Sequence, residues 1–163
     1  MARREMSWWD RRAEALARTK PGGWFAVNIA SPIDRRLLRW TRGRVGLFLG
    51  QPVGLLETVG ARSGQPRTTP LLYVEQDGRI VLIASKAGAE RHPAWYHNLV
   101  AHPEVDFTGH DGRRGRFRAR EAEGAEREAL WATANDLYAG YDDYQQRTGG
   151  RRIPVIVLEP DGA

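Results

Sequence analysis

Apolar and polar positions follow one rhythm before Gly46 and another after it. Met6, Trp9, Ala13 and Leu16 recur at helical spacing, with Arg4, Arg11, Arg12 and Arg18 mostly around the other side. This predicts an amphipathic helix over residues 3–19, closed by Pro21-Gly22-Gly23. A second helix opens at Ser31-Pro32, with serine as the cap, proline in the first turn and Asp34 close behind. It carries Ile33, Leu37, Leu38 and Trp40 beside Arg35, Arg36, Arg39 and Arg42, and ends near Gly43.

Beyond Gly46 the pattern turns to short strands. Residues 54–59, 68–74 and 79–84 read as an up-down-up meander, with Asp77-Gly78 the dipeptide a two-residue hairpin turn prefers. Pro93 opens a helix over 94–100, with Trp95 and Leu99 spaced to pack on the sheet and His97 and Asn98 toward solvent. Residues 104–108 and 115–121 form a second antiparallel pair around Asp111-Gly112. A helix over 124–141 has Leu130, Ala134, Leu137 and Tyr141 on one stripe, and the last strand is 153–158, with Pro154 at its start or at an edge. Strands joined by tight hairpins cannot build a parallel, doubly wound sheet, which needs crossovers. The expectation is an α+β chain: a helical N-terminal extension over 1–45, then an antiparallel sheet or small barrel over 46–163 with helices packed outside.

Composition narrows the chemistry. The 163 residues include no cysteine, which removes disulfides, thiolate metal sites and cysteine nucleophiles, and the four histidines show no metal-ligand spacing. No metal is expected, and a reducing cytoplasm suits the chain. Net charge is +5, carried almost wholly by arginine, since Lys20 and Lys86 are the only lysines. Arginine's planar fork matches phosphate and carboxylate. The charges are scattered and diluted by twenty acidic residues, and no nucleic-acid reader motif is present. No apolar run approaches the roughly 20 residues that span a bilayer, and the N-terminus lacks the apolar core of a signal peptide. Tryptophans opposite arginines in residues 3–18 would suit peripheral contact with an anionic lipid surface at the inner face of the membrane.

Candidate chemistry gathers at the loop Gly60-Ala61-Arg62-Ser63-Gly64-Gln65-Pro66-Arg67. It reads as an ordinary basic hairpin or as an anion cradle, with Arg62 and Arg67 as forks and Ser63 as hydroxyl donor. The cradle gains weight because, in a meander, the end of the first strand and the end of the third share one edge. Ser85-Lys86 should therefore converge on Arg62 and Arg67, followed by Gly88 and a helix start. Tyr138, Tyr141 and Tyr144 recur every third residue. Singly they suit core packing; as a trio on one continuous helix they suit a lid over a flat, polar ligand. Neither Ser63 nor Ser85 sits in a nucleophile elbow, so a hydrolytic triad has no support.

These motifs, together with Ala84-Ser85-Lys86-Ala87-Gly88-Ala89, His92-Pro93-Ala94-Trp95-Tyr96-His97-Asn98-Leu99 and Arg152-Ile153-Pro154-Val155, closely resemble the deazaflavin (F420)-dependent nitroreductase family of actinobacteria. The resemblance implies a split β-barrel related to flavin-mononucleotide-binding barrels. It also implies a hydride transfer from reduced coenzyme F420, with FMN the alternative cofactor, to a quinone, nitro or activated-alkene acceptor. Carried over by position, Arg62, Ser63, Gln65 and Arg67 would hold the coenzyme's phosphate and tail, and Ser85, Lys86, Ala87 and Gly88 its phosphate and deazaflavin. Ser85, Tyr138 and Tyr141 would be catalytic, with Tyr138, Tyr141 and Tyr144 against the substrate. Some relatives carry a basic residue in place of Ala61 and an aromatic one in place of Leu72. Because neighbouring strand residues face opposite ways, Tyr73 does not replace a ring at Leu72. The competing readings are a non-catalytic deazaflavin carrier and a basic module for anionic lipid or nucleic acid.

Overall fold

The computed structural model describes residues 52–161. The helices expected over 3–19 and 31–42, and the boundary at Gly46, lie outside the described residues. The elements run β1 (Val53–Val59), β2 (Pro66–Leu72), β3 (Val74–Gln76), β4 (Arg79–Ile83), a short 3-10 turn (Lys86–Gly88), α1 (Ala94–Ala101), β5 (Glu104–Thr108), β6 (Arg114–Glu121), α2 (Gly124–Leu137), α3 (Gly140–Arg147) and β7 (Val155–Pro160).

Seven strands pair antiparallel in the order β2-β1-β5-β6-β7-β4-β3. The two ends of that order, β2 and β3, are consecutive in the chain with only Tyr73 between them. The expected strand over 68–74 is thus one run that changes partners: Leu72 closes the ladder to β1 opposite Val53, and Val74 opens the ladder to β4 opposite Val81. Its two halves bring the sheet's edges together, so the sheet curls into a split barrel rather than lying open. Tyr73 marks the switch; its amide donates to Pro52 O at 3.2 Å, and its buried ring meets Phe107 edge-on at 5.0 Å.

Alternation then sorts the side chains. Leu56, Ile80, Leu82, Val105, Phe107, Ile156 and Leu158 fill one cluster with Trp95 and Leu99 of α1, which packs across the barrel. The opposite faces of β4 and β7, Val81, Ile83, Val155 and Val157, meet Leu130 and Ala134 of α2 and the tyrosines near α3. Strands buried on both faces must be apolar throughout, which explains the unbroken runs Ile80–Ile83 and Val155–Leu158 in sequence. Deleting such a side chain, for instance Leu82→Ala, costs about 2–5 kcal/mol.

Local expectations fare unevenly. Asp77 and Gly78 have φ of 53° and 74°, the positive pair that a primed hairpin turn requires, and Gln76 pairs with Arg79 across it. Pro154 precedes β7, as its missing N–H demands. Pro93 is the cap of α1 rather than its first residue, with ψ of 153°. The single helix over 124–141 is corrected to two: Tyr138 is extended at φ −146° and ψ 99°, and α3 starts afresh at Gly140. A Cβ on Gly140 would lie 2.4 Å from the Tyr138 ring, so only glycine lets that ring fold back over the new helix. The three tyrosines are brought together by this bend and not by helical spacing.

Candidate functional site

Strand direction decides which ends share a rim. β1 and β4 both finish where β2, β5 and β7 begin, so the 60–65 loop, the turn after Ile83 and the segment before Val155 stand at one end of the barrel. A cleft of about 780 Å³ opens there, walled by the 60–63 segment, the first residues of β2 from Pro66 to Thr69, and α1 from Ala94 to Asn98. Arg62, Ser63 and Arg67 line it; Gln65 and the Ser85–Gly88 segment do not.

Asn98 fixes the shape of that cleft. It is buried, not solvent-facing as expected, because it brackets two elements at once: Ala61 N–H donates to its Oδ1 at 3.0 Å, and its Nδ2 donates to Thr58 Oγ1 at 3.0 Å. Loop and helix are thereby tied across the cleft floor. Inside the loop, Gly60 N–H donates to Gln65 O and Gly64 N–H to Gly60 O, while Gln65 N–H donates to Ser63 Oγ at 3.3 Å. The backbone satisfies itself, leaving the guanidiniums of Arg62 and Arg67 exposed and without an ion pair among the described residues. His97, also exposed, faces the same cleft.

The neighbouring turn has an unusual backbone. Ser85 is right-handed, with φ −71° and ψ −41°, and Lys86, Ala87 and Gly88 follow at φ 50°, 53° and 78°. A right-handed residue followed by a left-handed one gathers successive amides into a concave nest for an anion. Positive φ at two non-glycine residues costs on the order of 1–3 kcal/mol each and persists only where the surroundings impose it. Gly88 is required twice over, by its φ and because a Cβ would press on Tyr144 O at 2.9 Å and on Arg147 Cβ at 3.0 Å. The turn therefore lies directly on α3. Lys86 is exposed and Ser85 buried.

Tyr138, Tyr141 and Tyr144 are all buried, with ring centroids 5.2, 5.8 and 6.4 Å apart and the Tyr138 and Tyr144 hydroxyls 2.9 Å from each other. Burial, and to a lesser degree Tyr144, pushes the Tyr141 phenol well above the usual tyrosine range, so it stays protonated. Ala87 packs against this cluster, which joins the turn to the tyrosines. Sequence reasoning gave Arg151 no part, yet it reaches the turn, donating to Ser85 O at 2.8 Å. Its neighbour in the closing Arg152-Ile153-Pro154-Val155 motif was the one available signal.

Comparison with known proteins gives a consistent picture. The family model described as F420H(2)-dependent quinone reductase matches residues 33–160. An F420H(2)-dependent quinone reductase of Mycobacterium tuberculosis is 39% identical over 126 residues, covering 75% of this chain and 84% of the relative. Among solved structures, an F420-H2 dependent reductase (FDR-A) is 41% identical with a TM-score of 0.60, covering 66% of this chain and 93% of that one. A chain solved as a domain-swapped dimer is 38% identical with a TM-score of 0.62, covering 79% of this chain and all 100% of its own.

Proposed function

Since the chain belongs to the F420H(2)-dependent quinone reductase family, we propose that its cleft and the adjoining turn hold reduced coenzyme F420 and pass its hydride to a quinone. The donor set suits such a group: two guanidiniums without an ion pair among the described residues line the cleft, and an exposed lysine and a nest-forming turn stand at the same end of the barrel. When bound, the coenzyme supplies two electrons as hydride, and a further proton completes reduction of the quinone to the hydroquinone.

The residues then divide the work. Arg62 and Arg67 grip the anionic tail by charge-assisted forks, and the Ser63 hydroxyl and Gln65 support the loop that carries them. Ser85, Lys86, Ala87 and Gly88 seat the phosphate and one edge of the ring system. Tyr138, Tyr141 and Tyr144 cover the reacting face, exclude water and place phenolic hydroxyls near the acceptor oxygen. Tyr141, kept protonated by burial, acts as a hydrogen-bond donor to charge developing on that oxygen. Leu72 and Tyr73 pack in different clusters, so Tyr73 supplies no ring beside Leu72, and quinones rather than bulky nitroaromatics are the acceptors of choice. A basic, tryptophan-bearing segment at residues 3–18 would bring the site to membrane quinones; cosedimentation with anionic vesicles tests that contact.

The observation that carries this reading is the rim pair Arg62 and Arg67, without an ion pair among the described residues, lining a cleft in a chain of the F420H(2)-dependent quinone reductase family. Stopped-flow oxidation of reduced F420 by menadione tests it. Turnover should depend on enzyme concentration and should fail when reduced FMN replaces F420. Tight F420 binding with no oxidation across a panel of quinones would leave a carrier and refute the reductase.

A further inference from the structure

Arg151 lies 62 to 67 residues along the chain from the backbone it holds. Its Nε and Nη2 donate to Ala89 O at 3.0 and 2.8 Å, Nη2 also to Ser85 O at 2.8 Å, and Nη1 to Ala84 O at 3.3 Å. The same Nη1 stands 3.0 Å from His92 Nδ1. One planar fork thus collects carbonyls on both sides of the left-handed Lys86–Gly88 turn. A guanidinium carries donors only, so His92 must present an unprotonated Nδ1 to it.

That arrangement answers a question the turn poses. Two non-glycine residues at positive φ relax unless the chain on either side is pinned, and Ser85 and Ala89 are the two pins. With Ser85 N–H donating to Ile83 O, Gly88 N–H to Ser85 O and Ala89 N–H to Lys86 O, the amides of the turn that remain for an anion are those of Lys86 and Ala87. An ammonium could do this only in part, because its three donors leave from one nitrogen and cannot serve three carbonyls and the His92 ring together.

We propose that Arg151 is the positioning residue of the Ser85–Ala87 anion nest and that His92, as its acid-sensitive arm, makes coenzyme affinity fall at low pH. The inference rests on the reading of the rim as a coenzyme site. Groups facing His92 are Arg151 ahead of β7, Tyr96 and His97 on α1, and Glu121 at the end of β6. Burial, then Arg151, then His97 hold His92 below the usual histidine range, with Glu121 opposing. Its neutral form therefore dominates at neutral pH. As pH falls through that lowered value the imidazole charges beside a guanidinium, Nδ1 ceases to accept, and the clamp opens.

The test is a fluorescence titration of oxidised F420 against wild type, Arg151→Gln, Arg151→Lys and His92→Asn, from about pH 5 to pH 8, with unliganded Tm recorded for each. Arg151→Gln should raise Kd at least about tenfold at neutral pH, and Arg151→Lys should recover only part of it. His92→Asn, whose amide oxygen can replace Nδ1 as acceptor without titrating, should flatten the acid rise in Kd that wild type shows. A purely structural Arg151 would lower Tm and leave the Kd of the folded fraction at the wild-type value, which overturns the proposal. So does an unchanged pH profile in His92→Asn, a result that stands even if Arg151→Gln fails to fold. Wild type that binds no F420 at any pH would refute the coenzyme reading itself.

Discussion

Arginines on β6 and arginines on the cleft rim have the same charge and opposite surroundings. Arg114 pairs with Glu57 at 2.7 Å and Asp106 at 2.8 Å, Arg118 with Glu104 at 3.3 Å, and Arg120 with Glu126 at 2.7 Å and Glu159 at 2.9 Å. The register of β6 against β5 and β7 puts Asp106, Glu104 and Glu159 opposite or diagonal to their arginines, while Glu57 reaches over from β1 and Glu126 from α2. Arg62, Arg67 and Lys86 have no such partner among the described residues. Among the described residues these arginines of β6 are thus neutralised by carboxylates, whereas Arg62, Arg67 and Lys86 stand without an ion pair at one rim, where the structure also provides a cleft and a strained nest.

That contrast can be broken by substitution. The largest effect is expected at the rim: Arg67→Ala or Lys86→Ala should weaken F420 binding by about 1.5–3 kcal/mol, the worth of a charge-assisted bond, while Tm barely moves. Equal Kd values for wild type and both variants in a fluorescence titration would remove the rim from the site. Next is the bracket beneath it. Asn98→Ala strips partners from Ala61 N–H and Thr58 Oγ1, so thermal or urea unfolding should report about 1–3 kcal/mol lost. A variant as stable as wild type would mean that water replaces both bonds.

Smaller effects sharpen the comparison. Tyr138→Phe removes a hydroxyl that sits 2.9 Å from that of Tyr144; the expected stability loss is about 0.5–1.5 kcal/mol, with kcat reduced more than coenzyme affinity. A matched fall in both would make the ring a packing element alone. Smallest of all is Arg118→Ala on the sheet, worth less than about 1 kcal/mol as an exposed pair and silent in F420 binding. Any binding defect there would show that general basicity, rather than the rim, attracts the coenzyme.

What the sequence displayed, and what it hid, follows range of interaction. The Asp77-Gly78 turn and the 104–121 hairpin were legible because their signals are local: turn residues flanked by alternating apolar positions. The shared rim was legible too, since strand direction follows from counting hairpins. The helix break at Tyr138 was not, because Leu130, Ala134, Leu137 and Tyr141 keep a helical period straight through it. Only the contact between Gly140 and the Tyr138 ring decides against the period. Asn98 was placed on the wrong side for a similar reason: its partners Ala61 and Thr58 are 37 and 40 residues away. Arg151 was invisible on the same account, and positive φ at Lys86 and Ala87 has no residue-type signature at all.

The central claim is that unpaired rim cations, and not the overall charge, receive the coenzyme. Equilibrium titration of F420 against Arg62→Ala/Arg67→Ala and against Arg116→Ala/Arg118→Ala, two variants of identical net charge, tests it directly. The rim double variant should lose at least about tenfold in affinity and the sheet double variant none. Equal losses in the two would contradict the account.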